Sequence, residues 1–183
     1  VGYDTPSGPN GLITVDDTLG FNGSMDRFEW TLIGKKEIYI PYHNYRFDTP
    51  DVSYKELLPR FHANPDYLRH ELHRVWIAEA QLREGKRHVY QTRRFYLDED
   101  SWLIVATENY DSRDELWKIS FVTSIYEFNL GAYVQRAFLY TDLQVGAYFA
   151  NRLVNQLRPF DFTAEPKPVE YFTPTNVRKL GKR

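Results

Sequence analysis

The sequence predicts a mainly β protein: a curved antiparallel sheet or incomplete barrel, traced as a meander with few short helices. Three observations predict it. Apolar and polar residues alternate with period 2 through most of the chain from Asp26 onward. The alternating runs are joined by short turn-rich segments and not by helix-length crossovers, as an antiparallel meander requires. Aromatic residues are abundant, with Tyr 14, Phe 12 and Trp 4 in 183 residues, and their shape suits a pleated surface. A meander of roughly six to eight strands must hide one face, so it curls on itself, packs on further chain or encloses a ligand.

Residues 1–24 are dense in Gly, Pro, Asp, Asn, Ser and Thr, with turn dipeptides at Gly8-Pro9, Asn10-Gly11 and Asn22-Gly23, and read as an irregular lead-in. The sheet is expected over 26–158. Phe28, Trp30 and Leu32 share one parity; Ile38, Ile40 and Tyr42 continue it beyond Gly34-Lys35-Lys36, a pattern that reads as a hairpin turning at those three residues. Pro41 places the return strand at an edge or at its own end. Residues 48–65 carry Pro50, Pro59 and Pro65 and read as a loop with one helical turn at 53–58, able to cover an opening. Residues 67–82 fit a helix through Leu68, Leu72, Val75, Trp76, Glu79 and Leu82, or a strand through Leu72, Trp76, Ala78, Ala80 and Leu82. The turn at Glu84-Gly85-Lys86 and the aromatic and Val-rich run from His88 to Leu97 favour the strand.

Asp98 to Ser101 is a polar turn, Trp102 to Asn109 is apolar on both parities, and Trp117 to Ile125 forms a further long strand. Val134 to Thr141 and Ala147 to Asn155 form a last hairpin, or a strand and a short helix. Residues 159–183 hold Pro159, Pro166, Pro168 and Pro174 and a basic end, and read as an extended, partly mobile tail.

Charge and composition exclude several classes. Lys plus Arg total 23 against 25 Asp plus Glu, a net charge of −2, which gives no footprint for nucleic acid. The longest apolar stretches are a few residues, against the ~20 of a membrane-spanning helix. There is no Cys, hence no disulfide, thiolate metal site or thiol nucleophile. No Gly-rich phosphate loop, dinucleotide fingerprint or nucleophile elbow occurs, so no catalytic residue and no cofactor is expected. His70 and His73 are three apart, where the zincin pattern needs four on a helix, and on a strand they face opposite sides. Asp98-Glu99-Asp100 sits where a turn is expected, so no metal site is assigned either. Asn22-Gly23-Ser24 fits the glycosylation acceptor pattern, and the turn explains it.

The candidate site is therefore apolar: Trp30, Leu32, Ile38, Ile40, Trp76, Phe95, Ile119 and Phe121 are expected to line one concave surface. A groove of that kind takes an acyl chain, at about 0.8 kcal/mol per buried CH₂. The same residues serve equally as a filled core. Charge is uneven, basic between Arg69 and Arg94 and acidic between Asp98 and Glu115. Pairing across neighbouring strands accounts for it; a docking patch for anionic headgroups or a protein is the alternative.

The wording of several blocks adds a resemblance. The run from Gly23 to Trp30, Gly34 to Tyr42, Tyr67 to Trp76, Glu84 to His88, Phe95 to Trp102 and Tyr140 to Gly146 resembles a family of bacterial envelope proteins of unknown function described as outer-membrane lipoprotein-sorting-protein-like. The resemblance covers nearly the whole chain. It implies a fold like the lipoprotein carriers LolA and LolB, in which a curved, incompletely closed antiparallel barrel wraps an apolar cavity. It also implies a periplasmic location and members about twice this length with a signal peptide, so that the chain, opening on Val1, is expected to be a single domain or the C-terminal half of a larger one. Two functions follow as expectations. One is a carrier of lipids or of the acyl chains of lipoproteins; the other is a non-enzymatic scaffold whose aromatic face docks on the upstream half, an outer-membrane protein or a transporter. An envelope hydrolase needs a carboxylate or His at the cavity floor. Cavity and core discriminate the first two: a carrier needs an open apolar cavity, a scaffold a filled interior.

Overall fold

The turn dipeptides of the lead-in fold it into local structure that lies on the sheet. In the computed structural model, which describes residues 2–157 and 160–181, Pro6–Ser7 (β1) pairs antiparallel with Ile13–Thr14 (β2). A 3₁₀ turn follows at Val15–Asp17, closed by a capping box in which the Asp17 carboxylate accepts from the Thr14 backbone N–H at 2.7 Å. The turn aims Asp16 and Asp17 inward, and both are buried.

The sheet has seven antiparallel strands in chain order: Phe28–Pro41 (β3), His70–Leu82 (β4), Thr92–Asp98 (β5), Ile104–Tyr110 (β6), Leu116–Glu127 (β7), Ala132–Asp142 (β8) and Ala147–Asn151 (β9). The ambiguous segment is a strand, β4, and the last two runs are a hairpin. The hairpin expected at Gly34 is not formed. Residues 28–41 are one long edge strand whose whole length pairs with β4. At Gly34 the register shifts by a bulge, taken up at φ 133, a value that glycine alone adopts easily. A turn glycine and a bulge glycine between two alternating runs look the same in sequence. Pro41 ends this edge strand, where a missing N–H costs the ladder nothing.

Register assigns the faces. On one face lie Trp30, Ala80, Arg93, Phe95, Ser120, Val122, Phe138 and Tyr140, with their cross-strand partners. The lead-in covers it: Ile13 packs on Val122, Phe138 and Tyr140, while Phe21 joins Phe28, Ala80 and Phe95. Between these clusters Arg93, wholly buried, donates from Nη1 to Asp16 at 2.8 Å, from Nη2 to Asp17 at 2.7 Å and from Nε to Asn109 at 2.9 Å. Tyr90 donates to Asp17 at 2.9 Å, and His88 Nε2 lies 3.1 Å from Asp16. The rings of Phe21, Tyr90 and Phe95 surround the guanidinium. Burial alone would raise the Asp16 carboxyl, but His88, Arg93 and Thr14 together hold it below its ordinary value.

The opposite face is covered at one end only. The connection after β3 turns back across the sheet, with the Asn44 N–H donating to Ser124 O of β7 at 2.8 Å, so the sheet curls without closing into a barrel. It carries the helical turn expected at 53–58, Tyr54–Leu57 (α1), begun by a capping box of Ser53 and Glu56. Phe47 and Leu57 from this connection pack on Ala137 and Leu139 of β8. Leu57 is fully buried there, and Leu57→Ala is expected to lower stability by about 3 kcal/mol in urea denaturation. The tail is not extended throughout: Pro174–Leu180 (α2) is helical, capped by the Thr173 hydroxyl, and Phe160 stacks over Arg136. Pro159 and the last two basic residues lie outside the described residues.

Candidate functional site

Where the connection between β3 and β4 stops, the second sheet face is left open across β3 to β7. Side chains that alternate toward this face form rows perpendicular to the strands. One row is apolar: Ile77, Tyr96, Ala106 and Phe121 are successive cross-strand partners on β4, β5, β6 and β7. The next row is charged over most of its length: Glu79, Arg94, Glu108 and Ile119. With Ile33, Lys36 and Ile38 from β3, Leu116 from β7 and Leu143 beyond β8, they line a groove of about 660 Å³ open to solvent. Four steps between five strands at ~4.8 Å give a floor about 19 Å wide.

The register divides the eight residues predicted to share one surface. Ile38, Ile119 and Phe121 line the groove. Ile40 lies on the same face but is buried in the core beside it with Tyr42 and Val75. Trp30, Leu32, Trp76 and Phe95 point to the other face. There Trp30 and Phe95 pack under Phe21, Trp76 stacks beneath the Lys35 ammonium at 4.3 Å, and Leu32 is exposed. The cause is the bulge at Gly34: unbroken alternation would put residues 30, 32, 38 and 40 on one face, and one extra residue sends the second pair to the other. Ile77 and Tyr96 were missed because Trp76 and Phe95 beside them mark the opposite parity, and Ala106 because its strand is apolar on both parities.

The charged row is held by direct bonds. Arg94 donates from Nε to Glu79 at 2.7 Å and from Nη1 to the Tyr110 hydroxyl at 3.1 Å, and Tyr110 donates to Glu108 at 2.8 Å. Burial, with Glu108 beside it, pushes the Tyr110 phenol up to about 12 and raises Tyr96 further. The Glu79 hydrogen bond raises Arg94. The row therefore sets the Arg94 guanidinium between Glu79 and Glu108, with phenols that stay neutral. This agrees with charge pairing across the ladder, as does the bidentate Arg74 to Glu99 contact at 2.6 and 2.9 Å.

A second polar group lies at the curled end of this face. His73 Nδ1 is 2.9 Å from Asp98 Oδ1, and Asp98 Oδ2 accepts from the Ser101 N–H at 2.9 Å and from Tyr42 at 3.2 Å. Burial pushes the Asp98 carboxyl up, but Ser101 and His73 outweigh it and hold it below its ordinary value. Asp100 Oδ2 stands 3.6 Å from the same nitrogen, which makes His73, Asp98 and Asp100 a three-donor cluster among the described residues. His70 is on the opposite face, as its spacing predicts. Asp98 thus accepts from His73, Ser101 and Tyr42 at the end of β5, where it meets the turn. No helix among the described residues is long and apolar enough to cross a membrane.

Comparison with known proteins bears on the whole chain. The family model described as "Protein of unknown function (DUF1329)" matches residues 1–178. The uncharacterized protein PA3922 of Pseudomonas aeruginosa is 40% identical over 187 residues, which is 100% of this chain and 40% of that protein. The chain thus spans less than half the length of the curated relative it matches. Among solved structures, a DUF1329 family protein from Desulfovibrio piger has a TM-score of 0.51 at 14% identity, over 81% of this chain and 48% of that one. A LolA superfamily protein from Nitrosomonas europaea has a TM-score of 0.47 at 13% identity, over 96% and 60%.

Proposed function

This chain belongs to the DUF1329 family of proteins of unknown function, and we propose that it is the groove-bearing part of a non-enzymatic carrier of the bacterial envelope. It acts in the periplasm, buries the acyl chain of a lipid or lipoprotein in the groove, and hands it on unchanged. The observation that carries this reading is the open groove of about 660 Å³ on one sheet face. A scaffold packed against itself would fill that space, as its other face is filled by the lead-in. The apolar row across β4 to β7 has the direction and length of an extended chain. Each buried CH₂ contributes about 0.8 kcal/mol without a directional bond, and such contacts let cargo leave by the way it entered.

The test is mass spectrometry of an organic extract of the purified protein, with displacement of a fluorescent fatty-acid probe as its quantitative partner. A co-purifying lipid near one per chain, or probe displaced by fatty acids at micromolar concentration, is expected. A clean extract together with no probe binding would overturn the carrier reading in favour of the scaffold.

A further inference from the structure

The groove is amphipathic, and its charges select among amphiphiles. We infer that it prefers an amphiphile with a phosphoethanolamine head to one with a purely anionic head; this rests on the carrier reading above. The charged groups lining the groove are Lys36, Glu79, Arg94 and Glu108, two of each sign. A site built for an anionic head would carry a surplus of cations, and one for a simple cation a surplus of carboxylates. Here the signs alternate along one row, with Arg94 flanked on its neighbouring strands by Glu79 and Glu108. The two carboxylates are largely covered, their side chains 16% and 27% exposed, while Arg94 is 41% exposed. An anion laid on Arg94 therefore meets two carboxylates whose charge water screens poorly.

A phosphoethanolamine head answers both signs at once. Its phosphate takes Arg94, whose bonds to protein use Nε and Nη1, and its primary ammonium donates to the carboxylate oxygens of Glu108 or Glu79. The acyl chains then run along the adjacent apolar row of Ile77, Tyr96, Ala106 and Phe121, one side-chain step or about 7 Å along the strands. Lys36, paired with Val75 on β4, stands at the β3 rim on the far side of the apolar row from Arg94.

The experiment displaces a fluorescent fatty-acid probe from the intact chain with three short-chain lipids of identical acyl groups. They bear phosphoethanolamine, phosphoglycerol or no charged head. The phosphoethanolamine lipid is expected to displace at about one tenth the concentration of the phosphoglycerol lipid, and Glu108→Gln to shrink that ratio below about threefold. Glu79→Gln is the second variant, should the first alter the fold. Equal displacement by all three lipids would overturn the head-group selection and leave the carrier standing. Failure of every lipid, with no probe binding, would remove the carrier and this inference with it.

Discussion

Replacing Arg93 with Met is expected to destabilise the protein by about 3–5 kcal/mol in urea denaturation at pH 7. Methionine fills much of the space among Phe21, Tyr90 and Phe95, so the loss is electrostatic. It strands Asp16 and Asp17, both buried, with no guanidinium to answer them. The pH dependence separates this from simple loss of packing. In the natural chain the Asp16 pKa is depressed from its ordinary 3.8, so its contribution is complete above that pH and is lost as pH falls through the lower native value. Without Arg93, burial dominates and the Asp16 pKa rises, so protonation relieves the stranded charge and the penalty shrinks as pH falls. The difference between variant and natural chain should be smaller at pH 4 than at pH 7. A loss under about 1 kcal/mol, or one independent of pH, would show that the lead-in is not held by this network.

That network marks where sequence reading ran out. Asp16 and Asp17 lie in the turn-rich segment that reads as an irregular lead-in. Arg93 stands 76 residues later on a strand beside Arg94. No local pattern distinguishes the arginine that is buried under the lead-in from the one that faces the groove. Alternation, by contrast, made the strands legible wherever one face was clearly apolar, as in β7 and β8, and the proline-bounded segment 48–65 showed its helical turn. The groove was half legible for the same reason that the fold was. Period 2 says which residues share a face within an unbroken strand, but it carries no information across a bulge. Register shifts at Leu32/Gly34, Tyr96/Leu97 and Val122/Ser124 each reset the parity. Large aromatics then misled the choice of face, because Trp30, Trp76 and Phe95 are the most conspicuous residues of their strands and serve the covered side.

Ala106→Trp is expected to weaken probe binding by about 100-fold, or ~2.8 kcal/mol, by filling the middle of the groove. Ala106 is the small residue in the apolar row, between Tyr96 and Phe121 on its neighbouring strands, and the cavity lies above it. Ala106 is 7% exposed beneath its neighbours, so an indole there must push past them, at the ~1–3 kcal/mol typical of overpacking. Two truncations sharpen the assignment. Phe121 is 39% exposed at the groove wall, so Phe121→Ala should cost little stability yet lower affinity about tenfold, the loss of roughly two buried methylenes' worth of contact. Trp76→Ala removes a larger ring from the opposite face, where it stacks with Lys35, and should leave affinity unchanged whatever it does to stability. Affinity must therefore follow the face of the sheet and not the size of the side chain. If all three variants instead lost binding in proportion to their loss of stability, the groove would not be the binding surface. If Trp76→Ala alone lost it, the cargo would lie on the side of the sheet that the lead-in covers.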